Sequence, residues 1–318
     1  MSAVLDVANT DTPSSAAPIP AAAQELRSTM GAVRLAFTWM GTQRRLDASH
    51  ARRAADTFQA DESRVRASKI LINTKHTAYR AATTIKAQAQ SYLRGISLPY
   101  PQHGIRLIRR DDVETFEGRM NSFRDRLAEA VANLRDHYGA LKADARERLG
   151  ELYDNSDYPA TLDNVFSLNW EYPSVEPPRY LMRFNPELYA QEQQRIQQRF
   201  EQAVVLAESA FAERLQELVT HLQERLHDSP DGQPKKFQSV TIENFQTFYN
   251  EFKRLNVRGN TELDALIQRA NNLVSGVNVT ELRGSAHLRE TLNTQMADVA
   301  QSLDRLMQNA PRRRVMLD

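Results

Sequence analysis

The stretch Ser91–Arg110, SYLRGISLPYPQHGIRLIRR, is where the reading of this chain turns. It closes a long amphipathic run and gathers cations just before an acidic restart. Upstream, Leu71, Thr74, Ala78, Ala82, Ile85, Ala89, Tyr92 and Ile96 recur at spacings of three and four, which predicts one face of a helix. Gly95 weakens that helix, Leu98 is pushed toward extended geometry by the proline after it, and Pro99 and Pro101 end it. Asp111 or Asp112 then predicts an N-cap, with Glu114 at capping-box spacing from Asp111. The expectation is therefore helix, proline turn, helix, within a basic helical region over residues 23–110.

Working outward, Val113, Phe116, Met120, Phe123, Leu127, Val131, Leu134, Tyr138 and Leu141 continue a largely heptad pattern toward Leu152. Residues 153–186 are rich in proline and aromatics, and FSLNWEYP within them reads as a short strand or an extended packed loop. Asn185-Pro186 predicts a helix start, with an N-cap followed by proline at the first helical position. In the helix that follows, Ile196, Ala207 and Leu218 recur every 11 residues, as do Phe200, Phe211 and Leu222, and Val204, Leu215 and Leu226. Such a repeat keeps a stripe straight along a helix. At a rise of ~1.5 Å per residue both long helices span roughly 60 Å. They predict an antiparallel coiled-coil hairpin over residues 111–228, with a seam at Ile196, Phe200, Val204, Phe211, Leu215, Leu218 and Leu222. A smaller C-terminal helical unit is expected over 237–309, built on Ile242, Phe245, Phe248, Phe252 and Leu255, with one helix stopped by Gly276 and the next capped by Asn278 or Thr280.

The fold class expected from these patterns is all-α and elongated. Composition agrees: 11 glycines in 318 residues and a mean hydropathy of -0.58 suit helices that bury one stripe each. The chain has no cysteine, which excludes disulfides and thiolate metal sites together. Residues 1–22 hold no basic residue and no apolar core, so they read as a disordered tail and not as a secretory signal. PRRRVMLD reads as a loose basic tail over 310–318. No run approaches the ~18 apolar residues of a membrane span, so the expectation is a cytoplasmic protein with no membrane partner.

Net charge is +1 but unevenly spread. From Arg44 to Arg110 there are 14 Arg and Lys against four acids, and from Asp111 to Asp163 there are 13 acids against seven bases. Arg66, Lys69, Arg80 and Arg94, with Arg106, Arg109 and Arg110 beyond the turn, are candidate phosphate or nucleic-acid contacts. Aromatic interleaving is thin, so any such binding would be independent of sequence. A solvated helical face is the blander account of the same charges.

Catalytic patterns are not evident. The seven histidines show no metal-ligand spacing, and HDSPDG at 227–232 puts its polar residues side by side in a turn and not converging as a triad requires. DNSDYPATLDN lacks the ligand order of a calcium loop, and no phosphate-binding glycine loop is present. No catalytic residue, cofactor or metal is expected, and the chain reads as a non-enzymatic structural or interaction protein.

Two segments carry a family resemblance: AYRAATTIKAQAQSYLRGISLPYPQHGIRLIRRDDVETFEGRMNSF and ARERLGELYDNSDYPATLDNVFSLNWEYP. The Leu-Pro-aromatic turn, the restart, and the Leu-Gly-x-Leu-Tyr-Asp…Tyr-Pro connector resemble an uncharacterised helical family of phages and bacteria, over about residues 65–185. Some members of that family are encoded near MoxR- or CobS-like AAA+ ATPases. The resemblance implies an adaptor or substrate role with such a machine, and carries over no catalytic residue. Self-association or a protein partner bound through the coiled coil is the first expectation, and a nucleic-acid accessory role through residues 64–110 is the alternative.

Overall fold

A computed structural model of the chain describes residues 20–226, 239–257 and 259–309. Helix α1 (Ala21–Thr29) runs straight into strand β1 (Met30–Thr38), followed by β2 (Gln43–Arg45), α2 (Ala48–Thr57) and β3 (Ser68–Ile70). Helix α3 (Thr77–Ile96) passes directly into β4 (Ser97–Pro99), which turns back as β5 (Ile105–Arg109) ahead of α4 (Val113–Leu149). The connector supplies β6 (Ser167–Glu171) and the short α5 (Leu181–Phe184). Then come α6 (Pro186–Leu226), α7 (Ser239–Leu255), α8 (Thr261–Ser275), α9 (Val279–Gly284) and α10 (Ala286–Asn309).

The all-α expectation is thus corrected to a mixed α/β fold. A four-stranded antiparallel sheet runs in the order β4-β5-β1-β6, and β2 and β3 form a second, two-stranded sheet. The predicted proline turn is a β-hairpin, with Ser97 opposite Ile108, Leu98 opposite Leu107 and Pro99 opposite Arg106. The prolines behave as anticipated, but the extended geometry they impose is used as strand. Pro99 lacks an N–H and sits on the sheet's terminal strand, where a missing donor costs least. Gly104, at φ 75°, turns the chain back through a left-handed conformation open to glycine.

The sheet lies between two helical layers. Met30, Ala32, Leu98, Ile105 and Leu107 pack against Ala23 and Leu26 of α1 and Ile196, Phe200, Ala203 and Ala207 of α6. On the other face Val33, Ile108 and Leu168 join the buried residues of α3 and α4. The register makes this consistent, since Ala32 faces Leu107 and Phe37 faces Leu168 across the ladder.

The coiled-coil hairpin over 111–228 is also corrected. The antiparallel partner of α4 is α3: the rings of Tyr92 and Phe123 are 6.0 Å apart near one end, and those of His76 and His137 5.3 Å apart toward the other. Every buried side chain of α4, from Phe116 to Ala145, belongs to the cluster shared with α3. The buried residues of α6 divide between two other clusters. Of the predicted seam, Ile196, Phe200 and Val204 face the sheet layer, while Leu215, Leu218 and Leu222 face α7, α8 and α10; Phe211 touches both groups. An amphipathic stripe shows that a helix has a partner without showing which one.

Local signals held where side chains meet backbone directly. Asn185 accepts from the Leu188 N–H at 3.0 Å and Asn278 from the Thr280 N–H at 2.9 Å, each as an N-cap. The capping box at 111–114 does not form: Asp112 caps α4 without a side-chain bond, and Asp111 pairs with Arg109 at 3.1 Å. Residues 21 and 22, assigned to the N-terminal tail, begin α1. Residues 1–19 of that tail, HDSPDG and the 310–318 tail lie outside the described residues. No helix among the described residues is long and apolar enough to cross a membrane.

The hairpin carries a stability test. Leu107 is fully buried at the centre of β5. Leu107→Ala is expected to cost about 2–5 kcal/mol in urea denaturation, whereas a leucine in a solvated proline turn would cost under about 0.5 kcal/mol.

Candidate functional site

The seven predicted cations separate into two groups. Lys69 on β3 is turned inward: its ammonium lies 2.6 Å from Asp157 Oδ2 and donates at 2.6 Å to the Leu152 carbonyl, with side-chain exposures of 9% for Lys69 and 7% for Asp157. Arg44 on β2 reaches the same carboxylate at 3.1 Å. Together they tie the small sheet to the connector, and Tyr158 adds a bond to the Leu71 carbonyl at 2.8 Å. Burial pushes the Tyr158 phenol up to about 12.

Arg106 on β5 folds back across the hairpin. Its Nε donates to Ser97 Oγ at 2.7 Å and its Nη2 to the Ser97 carbonyl at 2.9 Å. Burial, and then the neighbouring charge of Arg94, lowers its guanidinium to about 10. Arg109 donates to the Arg254 carbonyl at 3.3 Å and Arg110 to the Met30 carbonyl at 3.4 Å. Only Arg66, Arg80 and Arg94 of the seven remain as exposed side chains with no bond or ion pair among the described residues.

The opening stretch instead borders a different feature. A cleft of about 540 Å³ lies between α3, α4 and α7. From α3 come Gln88, Ser91, Tyr92 and Gly95, which the helical repeat sets on one face. From α4 come Arg119, Phe123 and Arg126, and from α7 come Glu251 and Arg254. Gly95 has a reason here beyond weakening a helix: a Cβ at this position would stand 3.1 Å from Glu251 Oε1. The missing side chain lets the α7 carboxyl approach α3.

The far wall is held by Arg254, whose Nη2 donates to the Gly95 carbonyl at 3.4 Å near the C-terminus of α3. Its Nη1 lies 3.6 Å from Asp112 Oδ2, a buried oxygen with no hydrogen-bond partner among the described residues. Burial raises the affinity of the Glu251 carboxyl for its proton, while Arg214 at 3.4 Å and Arg254 oppose the shift. Tyr92 is likewise raised by burial, against Arg119 and Arg254. None of the cleft's charged residues was singled out from the sequence. The available signal was Arg119 and Arg126 flanking Phe123 on the apolar stripe of α4.

Two further features stand outside the cleft. At α5, just ahead of α6, Tyr180, Met182 and Phe184 are 61%, 52% and 83% exposed within five residues, and Leu188 follows in α6. Glu208, midway along α6, has a carboxyl raised first by burial and then by Asp264. Among the described residues no three His, Asp or Glu side chains converge as a metal site. Comparison with protein-family models, with curated proteins and with solved structures finds no match.

Two measurements check these placements. Lys69→Met should destabilise the fold by about 1–3 kcal/mol, because the Leu152 carbonyl loses its donor and the buried Asp157 is left with Arg44 alone, while Arg66→Gln should stay within about 0.5 kcal/mol. For Glu208 the raised folded value fixes the sign. Below the ordinary glutamate range both folded and unfolded states carry the proton and the group is neutral to stability. As pH rises from the ordinary value to the raised one, the unfolded state ionises first and the fold loses relative stability, and the penalty is complete above the raised value. Glu208→Gln should therefore raise the melting temperature at pH 7, with the gain vanishing on acidification through the carboxylate range. An equal gain at both ends would contradict that account.

Proposed function

We propose that this protein is a non-enzymatic interaction protein, a scaffold or adaptor, that docks a partner through the exposed apolar segment at α5, just ahead of α6. The observation that carries this reading is the exposure of Tyr180, Met182 and Phe184 on one short stretch of chain. Leaving a phenylalanine in water forgoes about 1.5–3 kcal/mol of burial, and clustered exposed aromatics are the usual anchors of protein interfaces. The reading no longer leans on a coiled coil between α4 and α6, since both stripes are satisfied within the chain.

A AAA+ ATPase of the MoxR or CobS kind is the first partner to try, on the strength of the resemblance in residues 65–185. A cytoplasmic location fits such a partner. The nucleic-acid alternative through 64–110 keeps Arg66, Arg80 and Arg94 as its exposed cations, and Lys69 and Arg106 are committed to internal bonds.

Sedimentation velocity on the full chain, alone and with a MoxR-type ATPase, tests the proposal. The expected result is self-association or a complex, weakened by about tenfold or more in a Met182→Asp, Phe184→Asp variant, which is a loss of at least ~1.4 kcal/mol. The variant's melting temperature should be unchanged. No association of the parent protein in either mixture, or equal binding by the variant, would sink it.

A further inference from the structure

We infer that the cleft between α3, α4 and α7 is a binding site for the phosphate group of a nucleotide-sized ligand. The first support is charge without a partner. The guanidinium carbons of Arg119 and Arg126 lie 5.3 and 5.5 Å from the centroid of the same ring, Phe123. Arg126 has one hydrogen bond, to Gln88 Oε1 at 2.8 Å, and Arg119 has only its contacts with the rings of Tyr92 and Phe123. Neither has a carboxylate within ion-pair distance among the described residues. Elsewhere on α4 Arg135 and Arg148 pair with acids at 3.1 and 2.6 Å, while Arg124 and Arg146 lie over the rings of Trp170 and Tyr153; Arg119 and Arg126 are the two that line the cleft. Two guanidinium groups stacked against the ring of one phenylalanine, seven residues apart on one helix, present forked donors at the cleft, and phosphate is the anion that such forks hold best.

The second support is the shape and the opposite wall. A volume of about 540 Å³ exceeds what inorganic phosphate fills and lies within the range of small-molecule sites. Across from the two arginines stands Glu251, half-buried and able to accept from hydroxyl or amino groups. Tyr92 and Ile96 offer an apolar surface between the two ends. The cleft therefore carries two guanidinium groups on its α4 side and, on its α7 side, a carboxyl beside the guanidinium of Arg254. A nucleoside phosphate matches that order, and so does one nucleotide of a single strand. Arg254 belongs to the α7 wall, so an occupant would bridge the α/β part of the chain to its C-terminal helices.

Calorimetric titration of the full chain with adenosine 5′-monophosphate, adenosine, inorganic phosphate and a short oligothymidylate tests the inference. Arg119→Gln and Arg126→Gln alter exposed side chains and should leave the melting temperature in place. Saturable binding of the monophosphate, absent for adenosine and weakened about tenfold or more by each substitution, supports a free nucleotide as the occupant. Binding of the oligonucleotide alone, lost in the same variants, supports a nucleic-acid backbone as the phosphate source. Absence of binding by any phosphate-bearing probe up to roughly 1 mM, or binding that both variants retain at full strength, overturns it. This result is independent of the Phe184 surface, whose substitution should leave the titrations unchanged.

Discussion

Strand β1 is held by two ladders at once, and the N-terminal two-thirds of the molecule is organised by that arrangement. Residues 30–34 pair with β5 and residues 34–38 with β6, so Arg34 is the point at which one partner hands over to the other. The two partners come from segments far apart in the chain, and their convergence on β1 sets where α3, α4 and the connector lie. Register is not free to slip. Moving β1 by one residue would turn Met30 and Ala32 toward α3 and α4, and Val33 toward α6, which reverses both buried faces.

Helix α6 extends this constraint into the C-terminal half. Its 41 residues run past the sheet and into the helical cluster, and its stripe changes partners without changing face. Phe211 sits at the changeover, with its ring 5.0 Å from that of Phe252 and edge-on to it. The loop ahead of α8 comes very close to α6 at Gly259, where a Cβ would lie 2.2 Å from Glu208 Oε1 and 3.1 Å from Val204 Cγ1. The straightness that an 11-residue repeat confers has a use here: one rigid element serves two cores.

Much of the helical content was legible because it rests on short-range signals. Asn185-Pro186, Asn278 and Gly276 marked helix ends correctly, since a cap is settled by atoms within a few residues. The apolar stripes of α4 and α6 were read correctly too, and only their pairing was misjudged. Strand β6 lies inside FSLNWEYP, read as a short strand or an extended loop, but β1 and β5 were lost for a physical reason. In residues 30–33 of β1 and in IRLIR of β5 both faces are covered by helices, so polar residues do not alternate cleanly with apolar ones. Ala-rich helical sequence flanks β1 on its N-terminal side, and α3 enters β4 with no intervening loop. Nothing local announces the change of period.

Charge was the least legible property, because a count along the chain ignores which way each side chain faces. The segment with the largest excess of cations spends several of them on its own architecture: Lys69 on Asp157, Arg106 across the hairpin, and Arg109 and Arg110 on backbone carbonyls. The cleft draws two of its cations from the segment that is acidic overall, because Arg119 and Arg126 flank Phe123 on α4, while nearby Glu117 accepts from Trp170 and Tyr172. Its third, Arg254, arrives from a helix more than a hundred residues away. A site of this kind is assembled by tertiary contact alone. The glycine that permits the assembly, Gly95, was visible all along in SYLRG, but its meaning depends on a carboxylate that only the fold brings near.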